Sequence, residues 1–364
     1  MRAGDTINGY TLLEDFRVVG AGLSEWTFAE RGGRDFFIKR FLAPTYPDDD
    51  APGSAKTKAR KRARCAAFEA HHLGIKVALA PVTSYGGNLI ATLDFFRAGA
   101  KYYKVTEKVD AAGLGSGDVA ALDFPAQLIL LKTVAHSLKI LHDLRIVHSD
   151  LKPSNVLIKR TELGHTTKLI DFDSSYIVGN PPPPEEIVGT MNYYSPELVR
   201  YIQGAAPAAD LTPASDIFAL GLIYTEYLTG AAPAFDRAHH EPAVAVLNGA
   251  RLTLPPAGLP APVVDLVDRM MAAAPAQRPS IAEVHRDLMG IRAAMPTSAT
   301  VLGTTVRGAT VRGAPAPAVA GSALRGKGLR LVPGDPAVSA PASGGRTGAL
   351  VGKLLDRLEG RRTR

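Results

Sequence analysis

The stretch Ile146-Val147-His148-Ser149-Asp150-Leu151-Lys152-Pro153-Ser154-Asn155-Val156-Leu157-Ile158 is followed, after a short interval, by Leu169-Ile170-Asp171-Phe172-Asp173. Apolar runs flank a polar loop, which predicts a hairpin presenting its charged residues at one end. Asp150 is a carboxylate able to accept a hydroxyl proton. Lys152, two residues on, can neutralise charge on a moving phosphoryl group. Asn155 and Asp171 offer hard oxygen ligands for Mg²⁺, which holds nucleotide phosphates in line. The set therefore suits phosphoryl transfer from ATP.

Working outward, Tyr10 to Val19, Trp26 to Ala29 and Asp35 to Phe41 alternate as strands, the last two joined by the Arg31-Gly32-Gly33-Arg34 turn. Arg60 to Val77 has helical spacing, and Leu89 to Phe96 and Tyr102 to Val109 read as two further strands. From about Asp123 the period changes to that of helices, at Ala126 to His142, Ser215 to Leu228, Ala261 to Ala273 and Ser280 to Ala294. A five-stranded antiparallel sheet with one helix, followed by a helical region, is an α+β plan of two lobes with a cleft between them. The boundaries read as 1–109 and 110–295, then a linker over 296–347 and a short amphipathic basic helix over 348–364.

The net charge of +7 is unevenly placed. Pro296 to Arg364 holds 11 basic and 3 acidic residues, so the rest of the chain is close to neutral. A neutral body argues against nucleic-acid binding by the catalytic region. Gly, Ala and Pro dominate 296–347 and no aromatic appears there, so this linker is expected to be disordered. The terminal helix reads either as a solvated, frayed element or as a partner-docking one. A single cysteine, Cys65, fits a reducing compartment, and no run approaches a membrane span. The expected location is the cytoplasm.

The pattern H-x-D-L-K-x-x-N followed by D-F-x resembles the catalytic and metal loops of the bacterial Hanks-type (eukaryotic-like) serine/threonine protein kinases. That resemblance covers roughly Tyr10 to Met295 and implies ATP and Mg²⁺ as cofactors and protein substrates. It implies catalytic roles for Asp150, Lys152 and Asn155, and metal binding by Asn155 and Asp171. Lys39 would grip the α- and β-phosphates, paired with Glu69 on the following helix. Gly20 and Gly22 resemble a glycine-rich phosphate loop that lacks its third glycine, with the register open. Glu107 and Val109 would present hinge main chain to adenine, with Thr106 guarding the back pocket.

Three further features resemble the protein kinases rather than small-molecule phosphotransferases of the aminoglycoside and choline type. The segment Gly189-Thr190-Met191-Asn192-Tyr193-Tyr194-Ser195-Pro196-Glu197 resembles a substrate-docking element, Glu197 is expected to pair with Arg278, and Asp216 to anchor the catalytic-loop backbone. Two substitutions depart from the pattern. Phe37 stands where a small residue roofs adenine, so it must turn aside or narrow the pocket. Asp173 stands in place of a glycine, which reads either as a locked active conformation or as impaired nucleotide binding in a non-catalytic scaffold.

Ser149 replaces an arginine next to the catalytic aspartate, and Ile177 to Gly189 contains no Ser, Thr or Tyr. Together they predict activity without activation-loop phosphorylation. The expected function is phosphoryl transfer to Ser/Thr hydroxyls of proteins. The alternatives are a pseudokinase scaffold or a small-molecule phosphotransferase. Thr304, Thr305 and Thr310 lie beside arginines and suit autophosphorylation and capture by a phosphothreonine-binding partner.

Overall fold

The computed structural model describes residues 1–18, 24–48, 50, 52–83, 87–162, 164–236, 239–255 and 258–291. Gly20 and Gly22, the linker and the terminal helix expected over 348–364, and the tail threonines lie outside these residues. The first lobe is built on a seven-stranded antiparallel sheet. Its strands are β1 (Thr6–Ile7), β2 (Tyr10–Leu12), β3 (Arg17–Val18), β4 (Ser24–Arg31) and β5 (Arg34–Phe41), then, after helix α1 (Ala55–Leu79), β6 (Asp94–Ala98) and β7 (Lys101–Glu107). The order is β1-β2-β4-β5-β7-β6, with β3 beside β4.

The strand expected over Tyr10 to Val19 is two strands. Between them Leu13 N bonds Phe28 O and the Thr27 hydroxyl bonds Glu14 O, so the chain bends and re-pairs. The strand expected from Leu89 begins at Asp94, because Leu89 instead makes a parallel bridge with Leu169 of the second lobe. Helix α1 starts five residues earlier than its apolar spacing indicated. Ser54 caps it, its Oγ accepting from Thr57 N at 3.2 Å, a contribution of about 1 kcal/mol.

Alternation along the strands divides the sheet into two faces. Ile38, Tyr103 and Val105 pack with Tyr10, Ala29 and Phe36 on one face. Phe41, Phe95 and Tyr102 pack on the other, against Cys65 and Phe68 of α1. Lys39 and Phe37 share that second face by period 2, and cross-strand register adds Trp26, Phe28, Lys104 and Thr106. One face thus carries a helix at one end and a cluster of aromatic and basic residues at the other.

The second lobe contains α2 (Ser116–Ala120), α3 (Phe124–Asp143), β8 (Ile146–Val147), β9 (Val156–Thr161), β10 (Gly164–Leu169), β11 (Tyr176–Ile177), α4 (Pro196–Ile202), α5 (Ala214–Thr229), α6 (Pro242–Leu247), α7 (Ala261–Met270) and α8 (Ile281–Gly290). Asp123 caps α3 by accepting from Ala126 N at 2.9 Å, and Leu128, Leu131, Ala135 and Leu138 bury its inner face. Helix α5 is buried nearly all round and ends at Gly230, whose φ of 72° favours glycine. Strands β9 and β10 form a hairpin, and β8 pairs β11. The hairpin and pair hold the loops bearing Asp150 and Asp171 at one edge of this core. Among the described residues no helix is long and apolar enough to cross a membrane.

Candidate active site

The catalytic loop is fixed from beneath by Asp216. Its carboxylate accepts from the backbone N–H of His148 (2.7 Å) and of Ser149 (2.9 Å), and lies 2.9 Å from His142 Nε2. Ser149 takes φ 67°, a left-handed conformation held by that carboxylate. Buried His148 places Nε2 3.1 Å from Ile170 O, linking the loop to the segment carrying Asp171.

Above this anchor, Lys152 Nζ donates to Asp150 Oδ2 at 2.7 Å and to Thr190 Oγ1 at 3.1 Å. Asn155 Nδ2 donates to Asp150 O at 2.7 Å and to its Oδ2 at 3.2 Å. Thr190 N approaches Asp150 Oδ1 at 3.3 Å. Gly189 permits this closeness, since a Cβ there would lie 2.8 Å from Tyr194 Cε1 and 3.2 Å from Asp150 Oδ1. The structure therefore brings Asp150, Lys152, Asn155 and the docking segment into one hydrogen-bonded group.

The docking segment is secured in the core. Arg278 donates from Nη1 to Glu197 Oε1 (2.7 Å) and from Nη2 to Oε2 (2.9 Å), a bidentate pair with the arginine side chain wholly buried. Its remaining donors reach the carbonyls of Ala214, Ala272 and Ala273, and Ser215 Oγ donates to Glu197 Oε1. Every hydrogen-bonding group is thus used, the condition under which such a burial is tolerated.

Across the cleft the expectation for Glu69 is not met. Its Oε1 accepts from the Tyr102 hydroxyl at 2.6 Å, and Lys39 turns to two aspartates instead. Glu69 lies on the right face of α1 but three residues early, a displacement of about 4.5 Å along the axis. Three residues on, His72 occupies the place facing the lysine: its Nδ1 is 3.9 Å from Asp173 Oδ1, while His71 Nε2 lies 2.9 Å from Asp173 O. Lys39 Nζ meets Asp171 at 3.1 and 3.2 Å and Asp173 Oδ2 at 2.6 Å.

Lys104, which the sequence did not single out, completes the cluster. It bonds Asp171 Oδ1 at 3.1 Å and Asp173 Oδ1 more closely. Burial would raise the Asp173 carboxyl, but Lys104, Lys39 and His72 outweigh it and hold it well below its ordinary value. Burial lowers Lys39, yet Asp173 and then Asp171 raise it overall, so it stays charged. For His72 burial wins against the pull of Asp173 and pushes the imidazole down to about 3, so it is neutral at physiological pH. The only sequence signal for Lys104 was its alternation with buried Tyr103 and Val105, which puts a cation on the Lys39 face once the register is known.

Phe37 does not turn aside from the cleft face. Its ring stacks on Trp26 (centroids 5.5 Å, interplanar angle 25°) and meets Phe28 edge-on at 6.2 Å. Thr106 lies opposite Phe37, and β7 ends at Glu107, after which the chain through Val109 to Gly115 has no regular structure. The Glu107 side chain approaches Lys168 Nζ at 3.7 Å. Asn155, whose Nδ2 is committed to Asp150, and Asp171, a partly exposed carboxylate, form an oxygen donor set of the hard kind that Mg²⁺ takes.

Residues 80–288 match the family model described as a protein kinase domain. A serine/threonine-protein kinase of Corynebacterium efficiens is 31% identical over 137 residues, 37% of this chain and 24% of that protein. Serine/threonine-protein kinase ULK3 of Xenopus laevis is 29% identical over 174 residues, 48% of this chain and 36% of its own length. Serine/threonine-protein kinase PknK of Mycobacterium tuberculosis is 32% identical over 179 residues, 47% of this chain and 15% of its own. The match thus spans well under half of each of these relatives. With the two lobes, the anchored catalytic loop and the buried Glu197–Arg278 pair in place, the chain belongs to the protein kinase domain family.

Proposed function

We propose that this chain transfers the terminal phosphoryl group of ATP to Ser/Thr hydroxyls of protein substrates, with Asp150 as the proton acceptor. The observation that carries the reading is the bridge made by Lys152 between Asp150 Oδ2 and Thr190 Oγ1. An incoming hydroxyl that takes the place of the Thr190 hydroxyl meets a carboxylate and an ammonium together. Asp150 orients that hydroxyl and takes its proton, a role worth about 10²–10⁴-fold in rate. Lys152 offsets the negative charge that develops on the transferring group. Lys39 grips the nucleotide phosphates, and the main chain at Glu107 and Val109 meets the base under Trp26, Phe28 and Phe37. Bound through Asn155 and Asp171, Mg²⁺ would neutralise phosphate charge and keep the phosphates in line.

The same reading includes activity without phosphorylation of the segment from Ile177 to Gly189. Supporting it, the segment has no hydroxyl residue and is tied down by other means. Tyr201 OH donates to Pro182 O at 3.0 Å, Ser174 Oγ to Val188 O at 3.1 Å, and Val178 N to Arg145 O at 2.8 Å. Ser149 introduces no positive charge for a phosphate to balance.

A second reading, a nucleotide-binding scaffold without turnover, draws on one observation: the Asp171 carboxylate is engaged by two lysines. Phosphoamino-acid analysis after incubation with γ-labelled ATP decides among these. Label on Ser or Thr of protein supports transfer, and label on small molecules alone contradicts it. ATP binding with no label of any kind favours the scaffold. Phosphatase pretreatment that abolished turnover would remove the claim of phosphorylation-independence.

A further inference from the structure

Lys39 on β5 and Lys104 on β7 stand directly opposite each other, on the same face of the sheet. Like charges so placed repel, and the Lys104 side chain is only 5% exposed, so water screens it little. Such a pair persists when anions lie between its members. Asp171 and Asp173 fill that place, and each bonds both lysines. The cluster is neutral, two charges of each sign.

The anion nearest to Lys39 is Asp173, at 2.6 Å, against 3.1 Å for Asp171. Helix α1 supplies imidazoles at this point, not a carboxylate. His71 holds the Asp173 carbonyl, His72 lies beside the Asp173 carboxylate, and Glu69 is committed to Tyr102. We propose that Asp173, braced by Lys104, is the positioning residue that holds Lys39 for the nucleotide phosphates, in place of a carboxylate from α1. Lysine and metal-binding aspartate are then aligned by one three-residue segment, Asp171 to Asp173. Sliding of α1 along its axis would not separate them. Asp173 acts through Lys39 and does not itself meet the substrate. This inference rests on the phosphotransfer reading for its kinetic consequence only.

The test uses the full chain and two readouts. Trp26 is the single tryptophan and lies opposite Lys39 on β4, so its fluorescence reports nucleotide binding without turnover. KM for ATP and kcat are measured in parallel, with thermal melting to follow the fold. Three variants are compared: Glu69→Gln, Asp173→Asn, and the double Lys104→Met/Asp173→Asn. The double variant removes one charge of each sign and keeps the cluster neutral should the single Asp173 variant fail to fold. Glu69→Gln is expected to bind nucleotide and turn over within about twofold of the unaltered chain, since glutamine still accepts from Tyr102. The Asp173 variants are expected to weaken nucleotide binding and raise KM about tenfold or more, with a smaller change in kcat, from loss of a charge-assisted contact. Unchanged nucleotide affinity in the folded Asp173 variants would overturn the proposal, as would an equal loss in Glu69→Gln. An unaltered chain that transfers no phosphate would contradict the function proposed above, while the fluorescence titration would still decide how Lys39 is held.

Discussion

The Glu197–Arg278 pair lies in the core of the second lobe, whereas the Lys39–Lys104–Asp171–Asp173 cluster is only partly buried, with Asp171 30% exposed. The first joins one acid to one guanidinium and fills every donor, two on the carboxylate and three on main-chain carbonyls. The second joins four charges, and one of its aspartates, Asp173, lies beside a neutral histidine. A closed bidentate pair has one way to be satisfied, so it serves as a structural clasp. In the four-charge cluster each aspartate is shared between two lysines, so no ion has a single dedicated partner. A nucleotide that brings more negative charge can redistribute it, and this suits a site that must bind and release.

That contrast can be broken in graded ways. The largest expected effect comes from the proposed proton acceptor: Asp150→Asn should lower kcat by about 10²–10⁴-fold with little change in melting temperature. Next is the clasp. Arg278→Met leaves Glu197 buried without its partner and should cost about 3–5 kcal/mol of stability, read by denaturant unfolding. In the four-charge cluster the equivalent loss, in Asp173→Asn, is expected to fall on nucleotide affinity.

A smaller effect concerns pH. His72 has a folded-state pKa of about 3 against an ordinary value of 6.5, so below 6.5 the unfolded chain binds the extra proton. Stability is therefore full above that value and declines as pH falls, by about 2 kcal/mol at pH 5 relative to pH 8. The groups facing this imidazole are Asp173, Lys104, His71 and Lys39. Denaturant unfolding at the two pH values should show the slope, and His72→Phe, which keeps the stack on Phe95, should remove that part of it. The smallest effect is on turnover after phosphatase treatment, expected within twofold of the untreated protein, as measured by label transfer.

Much of the second lobe was legible in the sequence because its site residues sit in short segments whose spacing fixes their geometry. Asp150, Lys152 and Asn155 lie within one turn of loop, and Asp216 and Arg278 each sit at a helix or turn boundary that the pattern marks. The first lobe was less legible for physical reasons. Strand periodicity tells which residues share a face but not which strand lies alongside, so Lys104 could not be placed opposite Lys39 before the β5–β7 register was known. Helix α1 was rightly expected, yet a helical stretch gives no absolute rotation or rise against its sheet. Glu69 came to rest on Tyr102, and His72 filled the place intended for it. Asp173 drew notice as a departure from glycine, but its role as a counter-ion appeared only with the two lysines around it. Phe37 drew notice as well, and its partners Trp26 and Phe28 followed from the β4–β5 register.

Phosphoryl transfer to protein with Asp150 as proton acceptor is open to a simple test. Purified chain and its Asp150→Asn variant, incubated with Mg²⁺ and γ-labelled ATP under identical conditions, test it most directly. Label is expected on Ser or Thr of protein with the unaltered chain and is expected to be almost lost in the variant, with both binding ATP equally by Trp26 fluorescence. Equal labelling by the two, or ATP binding by both with no label on protein from either, would contradict it.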